Sequence, residues 1–518
     1  MDTEKMKQPK YPSLYQINTR VWLTELSQQI GRPATLDDIP GPALDQLAEK
    51  GFDWIWFLSV WRTGKAAAKI SRENPGWRHE FEETLPDLRE EDIAGSGFAI
   101  TGYNVHPDLG GDEALGRLRE RLSTRGLKMM LDFVPNHMAP DHPWVVENPD
   151  YFVPGTQEDL ESAPQNYTLV KRQQGDLILA YGRDPYFSGW PDTLQLDYSN
   201  PATQQAMMNE LLRISNQCDG VRCDMAMLVL PEVFEKTWGR TSPPFWPVAI
   251  KAVREKYPDF LFMAEVYWNL EWTLQQQGFD YTYDKCLYDR LREGNTDSVR
   301  EHFHAEPDYQ FKLARFLENH DEPRAAATFD INRHKAAAVI TFLCPGLRFF
   351  HQGEFEGRKI HISPHLKRAP QEPVDADLQT FYFDLLDVIR KPVFRNAQWR
   401  LLECPAAWDG NDSCNSFLAF GWEGTNGERS LVIVNYAPHA SQCWVHLPFS
   451  EVADQAVRFR DLMSPALYDR DGSEVLSKGI YLDMPAWGYH IFEVTEPAKK
   501  LTEEKSIIVA PKHDLITL

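Results

Sequence analysis

Apolar positions along the chain follow two alternating rhythms. Short runs rich in Val, Ile, Phe, Trp and Tyr recur, and between them Leu and Met return every three or four residues. Ser13–Leu23 (SLYQINTRVWL) is the first predicted strand. Leu44, Leu47 and Ala48 then fall at helical spacing, with Gly51 as the stop. Trp54–Val60 (WIWFLSV) is almost continuously apolar, which predicts a parallel strand buried on both faces. Leu115, Leu118 and Leu122 mark a helix ending near Gly126, and Lys128–Val134 (KMMLDFV) is the third strand. Asn200 caps and Pro201 opens a helix with Met207, Leu211 and Ile214 on one face. Strands four to eight are expected at Gly220–Met225, Phe260–Val266, Phe279–Asp284, Phe316–Asp321 and Leu347–Gly353. Eight strands alternating with helices predict an α/β chain built as a (β/α)8 barrel.

Three stretches break this rhythm. Arg62–Gly111 is Gly-punctuated and too long for a simple connection, so it is expected to serve function. Met138–Leu196 is rich in Pro, Asp, Tyr and Trp without a helical period, and reads as a small inserted domain after the third strand. The barrel then divides into 1–137 and 197–395, with the insertion at 138–196. Beyond Pro392, Phe417–Trp422, Leu431–Tyr436, Cys443–Leu447, Val457–Leu462 and Tyr489–Val494 are strand candidates with turns and no helix between them. They predict a C-terminal all-β sandwich at 396–496, followed by a tail at 497–518.

Composition narrows the functions available. Across 518 residues the apolar fraction is 42%, enough for a sizeable core. Acidic residues outnumber basic ones by 76 to 54, a net charge of −22. That balance argues against nucleic acid as a partner and leaves binding of a neutral substrate unaffected. Sixteen Trp suit flat apolar ligand faces as well as core. The first residues lack the apolar segment of a signal peptide, and no apolar run is long enough to span a membrane. The seven Cys are scattered, without a CxxC pair, so neither a disulfide framework nor a thiolate zinc site is expected. These features point to a cytoplasmic protein.

Barrel enzymes carry their chemistry at the C-terminal ends of the strands. In GVRCD (220–224), Arg222 and Asp224 share one face of the fourth strand, and the Arg holds the carboxylate ionised and oriented. From that stretch alone, a structural ion pair and a catalytic nucleophile are both open readings. The fifth strand ends in Glu265, flanked by Met263, Ala264, Val266 and Trp268; such apolar neighbours raise a carboxyl pKa and suit a proton donor. The seventh ends in Asn319-His320-Asp321 and the third in DFVPNH (132–137). Three acids converging on one barrel mouth fit glycosidic chemistry. His137 and His320 can donate to hydroxyls; zinc is the other use for such residues, and no HExxH or comparable spacing supports it. Tyr267, Trp268, Trp272, Tyr281 and Tyr283 follow the fifth strand and are read as core or loop packing before sugar-stacking platforms.

DFVPNH, GVRCD, MAEV (263–266) and ENHD (318–321) occur in the order and on the strands of glycoside hydrolase family 13, the α-amylase family, and the chain resembles that family over nearly its whole length. LDYSNP (196–201) resembles a further block. The resemblance implies Asp224 as nucleophile, Glu265 as general acid/base and Asp321 as transition-state stabiliser. It implies sugar contacts from Arg222, His137 and His320, and a stacking ring from Phe98 in place of the family's Tyr. It implies a retaining α-glycosidase acting on an α-glucan or a small α-glucoside, most simply α-1,4-linked. The departures are local. Met225-Ala226-Met227-Leu228 replaces a more polar run, predicting an apolar acceptor side around Met227 and Leu228. That run also lacks a calcium ligand, so no cofactor is carried over, although Asn136 is present. Ala99 stands where many chain-end enzymes have an acid, and the eighth strand ends in the unusual HQGE (351–354). A glucan transglycosylase or phosphorylase-type glucosyltransferase is the nearest alternative. A catalytically silent glucan- or protein-binding barrel is the other, and it would be expected to lack one of the three acids.

Overall fold

A computed structural model of the chain describes residues 9–173, 175–449 and 455–496. Eight parallel strands close into a barrel: β1 (Ser13–Asn18), β2 (Trp54–Leu58), β3 (Lys128–Phe133), β4 (Gly220–Cys223), β5 (Leu261–Ala264), β6 (Tyr281–Tyr283), β7 (Leu313–Arg315) and β8 (Leu347–His351). β8 pairs with β1 and closes the ring. The strand residues are buried on both faces, as the apolar runs require.

Two strands depart from expectation. β1 stops at Asn18, five residues early. The Asn18 side chain accepts from the Val21 amide and starts a helix, Thr19–Ile30, which Gly31 ends in a left-handed conformation. β7 lies at Leu313–Arg315, so the expected strand Phe316–Asp321 is instead the loop leaving its C-terminal end.

The stretch 62–111 is organised. Trp61–Thr63 pairs antiparallel with Ile100–Val105, and helices Lys65–Glu73 and Pro75–Thr84 lie between them. After β3, His137–Met138 pairs with Leu194–Gln195, and Tyr167–Val170 forms a hairpin with Leu177–Ala180.

Beyond Gln398 a six-stranded antiparallel sheet and a two-stranded pair, Ser441–Val445 with Ile480–Met484, enclose an apolar layer that includes Phe417, Leu431, Ile433, Phe459 and Phe492. A helix, Gly472–Lys478, capped by Asp471, interrupts this β region where none was expected. The other face of the large sheet joins the barrel core through Phe420, Trp422, Val432 and Val434, and the Trp422 indole donates to the Leu343 carbonyl at 3.0 Å. The tail lies outside the described residues.

Candidate active site

Alternation along β4 turns Arg222 into the barrel, and Asp224 follows one residue beyond the strand. Arg222 is fully buried and holds two acids at once. Its Nη1 donates to Asp224 Oδ1 at 2.6 Å and its Nη2 to Glu265 Oε2 at 2.7 Å. Asp132 Oδ1 and Asp321 Oδ2 lie at 3.8 and 3.9 Å from the same guanidinium. One cation therefore faces four carboxyls; Arg222 offsets part of that charge, and burial raises the carboxyl pKa values of Asp132, Glu265 and Asp321. Backbone ties set the two strand-end acids. The Asp224 amide donates to the Phe133 carbonyl at 2.8 Å, and the Glu265 amide to Cys223 at 3.0 Å.

Glu265 accepts two further bonds that fix its orientation. Met225 N donates to the same Oε2 at 2.7 Å, and the Tyr267 hydroxyl donates to Oε1 at 2.8 Å. Burial nevertheless pushes its pKa upward, opposed by Arg222 and assisted by Asp224 and Asp321. Asp321 is the exposed member of the group, with 38% of its side chain accessible. Its position comes from the preceding loop: Asn319 Oδ1 accepts from the Asp321 and Glu322 amides, each at 2.9 Å.

The sequence-predicted binding residues surround this core. Phe98 lays its ring 5.1 Å from the Arg222 guanidinium and 5.4 Å from the His320 ring. His320 Nε2 lies 3.1 Å from Asp321 Oδ2. His137 is buried beside Asn136 and against Trp190, and burial lowers its pKa. All seven predicted residues therefore meet at the C-terminal mouth of the barrel.

Four participants were not assigned to the site from sequence. Tyr267 bonds Glu265 directly. The Tyr283 hydroxyl accepts from Arg222 Nε at 3.3 Å. Asp132 accepts from the Trp56 indole at 3.2 Å and the Ser59 amide at 3.0 Å. Gln16 reaches His320. From sequence, Gln16, Tyr267 and Tyr283 read equally as core, and Asp132 lies in DFVPNH with no role of its own marked by its neighbours.

The acceptor side is corrected. Met227 and Leu228 are buried in the short helix Ala226–Val229 and do not line the cleft beside the site. Met225, in a left-handed conformation, is the one that lines the neighbouring cleft of about 710 Å³, together with Tyr267, Trp268, Phe187, Asp184 and Lys285. The Asn136 side-chain oxygen faces an amide nitrogen rather than an open cation position, because Gln195 Nε2 donates to it at 2.9 Å. That donor does not fit a calcium ligand set.

Residues 43–393 match the family model described as alpha amylase, catalytic domain. The chain belongs to the α-amylase family, glycoside hydrolase family 13. Among curated relatives of this α-amylase-family chain, an alpha-amylase from Haloarcula japonica is 22% identical over 361 residues, covering 68% of this chain and 49% of the relative. An alpha-1,4-glucan:maltose-1-phosphate maltosyltransferase from Burkholderia pseudomallei is 26% identical over 294 residues, covering 55% of this chain and 22% of the relative. The chain thus spans about half the length, or less, of these two relatives. A maltogenic alpha-amylase from Thermotoga neapolitana shares the fold with a TM-score of 0.65 at 17% identity, over 93% of this chain and 98% of that one.

Proposed function

We propose that this α-amylase-family chain is a retaining α-glycosidase that cleaves α-1,4-linked glucosides or maltooligosaccharides. The observation that carries the reading is Arg222 holding one oxygen of Asp224 and one of Glu265 on its two terminal nitrogens. A single guanidinium keeps two carboxyls close, which suits the roughly 5–5.5 Å separation of retaining enzymes better than the wider spacing that accommodates a water. Asp224, bonded by Arg222, attacks the anomeric carbon. Glu265, kept protonated by burial, gives its proton to the leaving oxygen and later takes one from the incoming water. Asp321, at the exposed rim, offsets positive charge on the sugar ring. His137, His320 and Arg222 donate to the sugar, and Phe98 provides the apolar wall.

The maltosyltransferase relative supports a second reading, in which the same covalent intermediate passes to an acceptor hydroxyl or phosphate. The silent-barrel alternative finds no support, since all three acids are present. The proposed location is the cytoplasm, consistent with seven cysteines that are all free. Among the described residues no helix is long and apolar enough to cross a membrane. Incubation of the protein with maltoheptaose, resolving products by size and anomer, tests the function. Shorter α-anomeric products alone are expected of the hydrolase, and longer products beside them would assign the transferase. No reaction would overturn both readings for this substrate class.

A further inference from the structure

We propose that Gln16, on β1, is a positioning residue that fixes the proton of His320 on Nε2 and so aims an N–H at Asp321 and the bound sugar. Gln16 is fully buried inside the barrel, where an amide without a partner is costly. Its Nε2 lies 2.8 Å from His320 Nδ1.

The ring itself has little freedom. Trp56, the register neighbour of Gln16 on β2, meets it edge-on at 5.5 Å, and Phe98 covers it at 5.4 Å. His361 Nε2 donates to the His320 carbonyl at 2.7 Å. With the ring held, the remaining choice is which nitrogen carries the proton. Arg222, Asp224, Asp321, His351 and His361 are the charged and titratable groups around it. Burial, with Arg222, lowers the His320 pKa, so the imidazole is neutral and carries one proton.

Two arrangements are conceivable, and the Gln16 amide nitrogen on Nδ1 and the Asp321 carboxylate beside Nε2 together favour one of them. If the Gln16 amide nitrogen donates to Nδ1, the proton sits on Nε2, 3.1 Å from the Asp321 carboxylate. If the amide is turned, Gln16 Oε1 accepts from Nδ1–H, and a bare Nε2 lone pair faces that carboxylate oxygen with no proton between them. The first is attractive and the second repulsive. The contact from Nε2 to Asp321 is close without being in line for a full hydrogen bond. The N–H therefore retains capacity for a sugar hydroxyl. Which ring nitrogen is protonated is set by what the other nitrogen meets, and here Gln16 provides that contact.

The proton's placement follows from the contacts of the buried ring; its kinetic consequence rests on the glycosidase reading. NMR of protein labelled with 15N-histidine tests the first part, with the His320 signal assigned by its loss in His320→Gln. The wild type is expected to show a neutral ring protonated on Nε2 and bare on Nδ1. Gln16→Leu is expected to populate both tautomers, and Gln16→Glu to draw a proton onto Nδ1. On maltoheptaose, Gln16→Leu should lower kcat by about tenfold to a hundredfold with a smaller change in KM, the loss typical of a misdirected contact in the transition state. A wild-type ring protonated on Nδ1 would overturn the proposal, as would a Gln16→Leu protein whose His320 tautomer is unchanged. Should Gln16→Leu not fold, the wild-type spectrum decides by itself. Wild-type protein without glycosidase activity would sink the functional reading, while the tautomer remains measurable.

Discussion

Glu265 keeps its proton to higher pH than a free glutamate because burial penalises its charged form more than Arg222 favours it. A general acid must be protonated to work, so kcat/KM should hold past the ordinary glutamate range. It should then fall as pH rises through the elevated value, giving an alkaline limb in the pH–rate profile. A limb near the pKa of free glutamate would contradict the role. Glu265→Gln keeps the shape and hydrogen-bonding of the side chain but has no proton to give, and should lower turnover about 10²- to 10⁴-fold, read with maltoheptaose while circular dichroism reports an intact fold. Asp192 offers a stability counterpart. Burial raises its pKa to about 7 from the usual 3.8, and its Oδ2 has no hydrogen-bond partner among the described residues. A carboxyl raised on folding contributes fully below its unfolded pKa, and that contribution is lost as pH rises from about 3.8 to about 7. Asp192→Asn should therefore match the wild type near pH 4 and exceed it at pH 8, by up to about 4 kcal/mol, in denaturant titrations. Equal stabilities at pH 8 would show that the carboxylate finds compensation there.

Short elements with polar interiors are where pattern and structure part. β7 is three residues, Leu313-Ala314-Arg315, and its Arg is fully buried against Asp284, His302 and Gln310. A buried Arg with side-chain partners carries no apolar signal, so the apolar start of FLENHD drew the predicted strand past the real one. β1 was overextended for the opposite reason: Val21, Trp22 and Leu23 look like strand, but Asn18 caps a helix whose buried face uses Val21 and Leu23. The excursion after β2 shows how close approach places a site residue. A Cβ on Gly97 would lie 1.9 Å from Ser59 Oγ and 2.4 Å from its Cβ, so only glycine lets this turn seat Phe98 over Arg222. Gly97→Ala should displace Phe98 and reduce kcat/KM by roughly tenfold to a hundredfold with the barrel still folded. Unchanged kinetics would mean that Ser59 yields and the ring stays.

Over the whole molecule the C-terminal sheet is continuous with the barrel's apolar core. Trp422, fully buried in that sheet, packs edge-on against Tyr11 at 5.3 Å and Phe394 at 5.7 Å. Trp422→Ala should cost about 3–5 kcal/mol and uncouple the two parts in calorimetry, seen as a split or broadened transition. A single transition at the wild-type midpoint would refute that coupling. The amino-acid pattern by itself determined the class of this fold. Apolar runs of strand length, spaced by helical stretches, have few ways to bury their faces other than a closed parallel barrel, and period-2 runs with turns have few other than a sheet layer. It also marked the strand ends carrying acids, because alternation decides which side chains share a face. Only the tertiary structure decided which partners those acids have. Arg222 meets Glu265 from the next strand, Gln16 meets His320 across 304 positions of sequence, and Tyr267 bonds Glu265. Such pairings depend on barrel register and on the course of long loops, which arise from contacts between distant segments and leave no local trace in spacing or composition.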